Sequence, residues 1–351
     1  MEIGIYSFGD VTPDPRTGVR LDEGQRIRQL VDEIVLADEV GLDIFGVGEH
    51  HRPDFPVSAP AIVLAAAAAR TTNIRLTSAV TVLSSDDPVR VFQDFATVDL
   101  ISEGRAEITA GRGSFIESFP LFGYDLAQYE TLFLEKLDLL MQLNEDPVVT
   151  WSGHHRAPIE GRAVYPRPQQ DRLPIWVAVG GTPQSVVNAA MRGLPINIAI
   201  IGAAAQPFIP LVTLYREALR TSGFDPAQVP VGISSHGFIA DTSQAAADIS
   251  APGLMAVMNQ IGRERSWGSE IDRTQFDRMR EPHSALMVGS PREVTEKILA
   301  QYEMFGNRRT MIHMGVGNPP HKDMMRAIEL LGTEVAPAVR REVSRLSAHS
   351  G

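Results

Sequence analysis

The chain has no cysteine among its 351 residues. Disulfides, thiolate nucleophiles and cysteine-based zinc sites are therefore excluded. Positive charge is also scarce: 32 Lys and Arg stand against 43 Asp and Glu, a net charge of −11. Nucleic-acid binding needs basic residues to neutralise phosphates, so no nucleic-acid partner is expected. No apolar run approaches the ~20 residues of a membrane-spanning helix. The longest, Ala59 to Ala69, is interrupted by Pro60 and reads as a buried helix. Met1-Glu2-Ile3-Gly4-Ile5 lacks the basic segment and long apolar stretch of a secretory leader. A cytoplasmic protein without membrane association is expected. Three motifs are missing too. No Gly-x-Gly-x-x-Gly follows a strand signal, no Gly-Lys-Ser/Thr follows a diglycine turn, and there is no helical His-Glu-x-x-His. A nicotinamide-binding Rossmann domain, a P-loop and a zinc-protease site are thus unsupported, and no metal is expected.

What is present is an alternation of strand and helix signals. Strands are expected at Glu2–Ser7, Asp43–Gly48, Ile74–Val82, Arg105–Ala110, Pro174–Val179, Ile196–Ile201, Val231–Ala240 and Thr310–Met314. Helical spacing separates them: Asp22–Val40, Ser58–Arg70 with Ser58 as its cap, Pro88–Ile101, Gln128–Leu143, a helix from Thr182, Pro207–Ser222, Thr242–Gly262 and Met324–Leu331. Eight such units predict a parallel sheet closed into a (β/α)8 TIM barrel, with a doubly wound open sheet as the alternative. Nothing divides the chain, so residues 1–351 read as one barrel domain. Two stretches interrupt the rhythm. Residues 147–168 read as an excursion with a small hairpin. Residues 263–283 are polar and turn-rich, either a disordered segment or a lid; a further helix lies near Pro291–Phe305.

Four polar motifs close four successive expected strands: Gly48-Glu49-His50-His51, Ala79-Val80-Thr81, Gly111-Arg112-Gly113 and Gly180-Gly181-Thr182. Barrel enzymes build their sites at the carboxyl ends of strands. Neighbouring strand residues face opposite ways, so only one of His50 and His51 can face the mouth as a general base or hydrogen-bond donor. The pair also fits loop histidines satisfied by backbone. Gly180 and Gly181 allow close approach of a ligand, and the N–H groups after Thr182 suit a phosphate. An ordinary capped helix explains the same residues. Arg112 can offer a guanidinium to an anion, or pair with Glu107 or Glu117. His313 closes the last strand. Phe115, Phe119, Phe122 and Tyr124 fit either core packing or a ligand wall.

Taken in order, these motifs resemble the bacterial luciferase-like flavin monooxygenase family. The resemblance also rests on Ala69-Arg70-Thr71, Ile74-Arg75-Leu76, Pro88-Val89-Arg90, Leu100-Ile101-Ser102-Glu103-Gly104-Arg105 and Phe122-Gly123, and runs from Ile3 to about Leu331. It implies a barrel that uses FMN, reduced by a separate reductase, and oxygen to oxidise a small organic substrate. It implies His50 as the active-site histidine. Ala79 and Val80 would lie against the flavin ring, joined by a cis non-prolyl peptide. Arg112 would approach the phosphate, which Gly180, Gly181 and Thr182 would bind. A homodimer is implied, with the helices around Ser58–Arg70 and Pro88–Ile101 as candidate faces. Two positions depart from the luciferase catalytic subunit: Gly111 replaces a reactive cysteine, and Glu130 replaces a second phosphate-binding arginine. A deazaflavin-dependent hydride-transfer oxidoreductase and a non-catalytic flavin-binding subunit are the rival readings.

Overall fold

In a computed structural model, residues 1–15, 17–113, 115–201, 204–266 and 270–349 are described. Eight strands form the barrel: β1 (Glu2–Ser7), β2 (Ile44–Val47), β3 (Arg75–Ser78), β4 (Ala106–Gly111), β5 (Ile175–Val179), β6 (Ile196–Ala199), β7 (Val231–Ile239) and β8 (Arg309–His313). Each pairs in parallel with the next, and β8 closes the ring against β1.

The strands alternate in chemistry with a period of two. Ile3, Ile5, Phe45, Leu76, Ile108, Val177, Ile198 and Ile312 point outward into one large core shared with the helices. The inward set is different. Tyr6, Ile44 and Met311 form a small cluster inside the barrel, joined by Phe8 and Ala79. Below them lies a buried ion cluster. Arg309 Nη1 donates to Glu107 Oε2 (2.8 Å) and Nε to Glu2 Oε2 (2.7 Å), while Arg75 also pairs with Glu107. The Arg309 guanidinium lies 4.0 Å from the Trp176 ring centroid. Burial alone would raise the Glu107 pKa; Arg309 and Arg75 outweigh it and hold the carboxyl below its usual value.

The helices begin where local chemistry favours them. Asp22 accepts from Gln25 N–H ahead of helix Glu23–Glu39, and Asp87 accepts from Val89 N–H ahead of helix Pro88–Ile101. The expected cap at Ser58 is not made. Helix Pro60–Ala68 starts at Ala59 with no side-chain cap. Pro60 at its first position has a preset φ and no N–H to satisfy, which lessens the need for one.

Other departures are local. The third expected strand, Ile74–Val82, is broken by a cis peptide bond between Ala79 and Val80, and Thr81–Val82 then resumes pairing beside β4. A short strand, Met287–Gly289, adds to β7 outside the ring. A last helix spans Ala336–His349. Residues 147–168 contain the expected hairpin, Val148–Trp151 against Ile159–Ala163. In the 263–283 stretch, helix Ser243–Arg265 runs further than expected and a short helix spans Arg273–Met279; residues 267–269 lie outside the described residues.

Candidate active site

At the carboxyl ends of the strands a hollow of about 310 Å3 opens, bordered by His50, Ala79, Val80, Arg112, Gly180 and Thr182. Its volume sits at the low end for small-molecule sites. Four of the strand-end motifs therefore meet in one place. Gly181 does not border the hollow.

The two histidines divide as their spacing requires. His51 Nε2 lies 2.8 Å from Glu49 Oε1, and Glu49 Oε2 accepts from Val82 N–H at 2.9 Å. His50 instead borders the hollow, with its ring 4.4 Å from Phe8, 4.6 Å from Phe55 and 4.9 Å from Phe115 by centroid. Burial, helped by nearby Arg52 and His51, pushes its pKa down to about 3. The ring is neutral at physiological pH, and its Nε2 is buried without a partner among the described residues.

Arg112 is not held by either carboxylate that could have claimed it. Glu107 is engaged by Arg75 and Arg309, and Glu117 by Arg52. The Arg112 guanidinium instead lies 5.2 Å from the Phe133 ring and 5.8 Å from the Tyr129 ring. The start of helix Pro183–Ala190 also borders the hollow. Thr182 stands at its N-cap but makes no side-chain cap, and a Cβ at Gly180 would meet nothing within 4 Å.

These features fit the phosphate of FMN: an arginine without a carboxylate partner, an uncommitted hydroxyl, open space at a glycine and the N–H groups of a helix start. Ala79 and Val80 add an apolar border. Gly111 lets Val80 pack directly against β4, so the cis Ala79–Val80 bond borders the hollow at close quarters. Among the described residues no group of three or more His, Asp and Glu is placed to hold a metal ion.

Several bordering residues lay outside the sequence reading: Tyr6, Phe8, Thr109, Tyr129, Asn197 and Ser234. Asn197 Nδ2 donates to Ser234 Oγ (2.7 Å), and Asn197 Oδ1 is buried without a partner among the described residues. For Thr109, Asn197 and Ser234 the signal is a small or polar residue at every second position inside an apolar strand, as in Ile196-Asn197-Ile198-Ala199. Of the aromatic group after β4, Phe115 packs on His50, Phe119 is core, and Phe122 is exposed beside His51. His313 stacks on Tyr6 and meets His236 edge-on inside the barrel, and does not border the hollow. His154 and His283 are exposed.

The sequence profile of luciferase-like monooxygenases matches residues 1–309. The chain belongs to that family. N-acetyl-S-alkylcysteine monooxygenase of Bacillus subtilis (strain 168) is 26% identical over 323 residues, covering 87% of this chain and 91% of the relative. An F420-dependent glucose-6-phosphate dehydrogenase of Amycolatopsis mediterranei (strain U-32) is 30% identical over 167 residues, 44% of this chain and 48% of the relative. The oxygenating constituent of 3,6-diketocamphane monooxygenase from Pseudomonas putida, solved with FMN, has the same fold: TM-score 0.78, with 97% of this chain and 98% of that one covered at 21% identity. As a luciferase-like protein the chain is an oxidoreductase on a TIM barrel. Among its described residues no helix is long and apolar enough to cross a membrane.

Proposed function

We propose that this luciferase-like protein uses reduced FMN and oxygen to oxidise a small organic substrate, with a separate reductase supplying the reduced flavin. The convergence of His50, the Ala79–Val80 bond, Arg112 and the Gly180–Thr182 turn on one hollow carries this reading. Reduced FMN, when bound, supplies the electrons that activate oxygen. The chain supplies the rest. Arg112, Gly180, Gly181 and Thr182 hold the phosphate, and Ala79 and Val80 support the ring. His50, kept neutral by burial, accepts a hydrogen bond at one ring nitrogen and donates from the other, so it can pass a proton without holding charge. Phe8, Phe55 and Phe115 keep water from its face.

The described residues of the 263–283 stretch, which begins at the end of helix Ser243–Arg265, are the segment we assign as a lid. Arg52 donates to Glu264 on that helix at 2.7 and 2.9 Å and to Glu117 at 2.9 Å, which ties the helix end beside His50. The protein is further proposed to be a single-domain homodimer, because Ile62, Leu100 and Ile101 are exposed on helices Pro60–Ala68 and Pro88–Ile101. Light scattering reads that mass directly.

Anaerobic titration with FMN, reduced FMN and deazaflavin tests the cofactor, followed by turnover with and without oxygen. Tightest binding to reduced FMN and oxygen-dependent product are expected. Preference for deazaflavin and turnover without oxygen would replace this reading with hydride transfer. His50→Ala is expected to lower turnover by about 100-fold or more while flavin stays bound.

A further inference from the structure

His50 borders two spaces of very different size. One is the hollow. The other is a cavity of about 10 Å3, bordered among others by Phe115, Glu117 and Ser118. That volume is close to what a single water needs. Among the described residues, three buried polar atoms here have no hydrogen-bond partner: His50 Nε2, Glu117 Oε2 and Ser118 Oγ. Buried polar atoms are almost always satisfied, and a structural water makes two to four hydrogen bonds. A one-water space bordered by three residues carrying such atoms has the chemistry of a hydration site.

We propose that this cavity binds one water, and that this water is the proton link between His50 and solvent. The role given to His50 rests on the function proposed above. Glu117 is the outer end of the link. Its side chain is 36% exposed, and its Oε1 accepts from Arg52 at 2.9 Å, which leaves Oε2 for the water. Ser118 is a positioning residue that anchors the water through its hydroxyl. A proton passing inward leaves the protonated Glu117 carboxyl for the water. The water gives one of its own protons to one ring nitrogen of His50. The imidazole releases the proton on its other nitrogen into the hollow. The ring ends neutral, the water is restored, and bulk solvent reprotonates Glu117. Proton transfer across one intervening water is an accepted reach for an acid–base residue.

Ser118→Ala removes the anchor with little change of shape, and Ser118→Val fills the cavity. The first readout needs no cofactor: the nitrogen resonances of His50 by NMR. Both variants should shift the Nε2 signal, Val more than Ala. With FMN and substrate present, turnover should fall roughly tenfold and the solvent deuterium isotope effect should grow, while FMN affinity stays within about twofold. In Glu117→Gln, a small diffusible acid such as formic acid should restore part of the lost rate. An unchanged Nε2 resonance in both folded Ser118 variants overturns the water site. A shifted resonance with wild-type turnover and isotope effect overturns the proton link. Failure to bind FMN would overturn the cofactor reading and the link together, while the resonance still decides the water site.

Discussion

One methyl group added at Gly111 probes the geometry of the hollow. Gly111 ends β4 and faces Val80. A Cβ built on it would lie 2.5 Å from Val80 Cγ2, 2.9 Å from Cγ1 and 2.8 Å from Cβ. Ordinary carbon–carbon contact begins near ~3.5 Å, so the overlap is roughly 0.6–1 Å. Turning Val80 about χ1 moves its methyls but leaves its Cβ in place. The backbone at 79–80 must therefore retreat. It is not free to do so: Ala79 N–H is bound to Val47 O at 2.7 Å, and Val82 N–H to Glu49 at 2.9 Å. Overpacking of this kind costs about 1–3 kcal/mol. For a chain of 351 residues that corresponds to a melting point lower by about 1–4 °C. Val80 also borders the hollow, and a displacement near 1 Å can cost up to ~100-fold in rate. Gly111→Ala should thus lower the melting temperature, FMN affinity and turnover together. Gly180→Ala is the contrast. Its Cβ would enter open space, so the free protein should melt like wild type while FMN binds more weakly. Scanning calorimetry and flavin titration of both variants decide the matter. Wild-type melting and binding in Gly111→Ala would refute the packing reasoning.

Three further outcomes are expected. Asp10 is fully buried, and burial pushes its pKa up to about 7 from 3.8. The stability tied to its protonated form is complete below the unfolded value and lost as pH rises through about 7; wild type should therefore lose roughly 3 kcal/mol relative to Asp10→Asn between pH 5 and 8 in urea melts. Arg112→Gln should weaken FMN by about 10- to 100-fold and leave riboflavin unaffected, because only the phosphate contact is lost. Glu107→Gln removes the buried carboxylate that Arg309 and Arg75 share, leaving Arg309 only the half-exposed Glu2, and should cost about 3 kcal/mol in denaturation, with flavin affinity unchanged.

The barrel was legible in the sequence because each unit carries its own local signal. Pro88–Ile101 and Pro291–Phe305 were read at their observed bounds, since proline and an acceptor at the start and a breaker at the end are neighbours in sequence. The strand-end motifs were legible for the same reason. What escaped reading depends on contacts between distant segments. The strand Met287–Gly289 is three residues long and exists because β7 offers it an edge. Tyr129, one turn into the hollow's border, sits on a helix whose spacing says nothing of the barrel mouth. Asn197 and Ser234 are single polar residues in apolar strands, and only the ring's closure brings them within 2.7 Å. Arg52 and Glu264 are 212 residues apart, and their pairing appears only when helix Ser243–Arg265 is laid against the β2 loop.

The ion cluster of Glu2, Arg75, Glu107 and Arg309, capped by Tyr6, Ile44 and Met311, makes the barrel a vessel with a floor. Nothing can be threaded through it. Every molecule that reaches the hollow arrives and departs by the same rim. Two guests sharing that space must therefore queue: the one seated deeper is admitted first and released last. Ordered addition is therefore the expected kinetic pattern, and product-inhibition patterns check it; random addition would refute it.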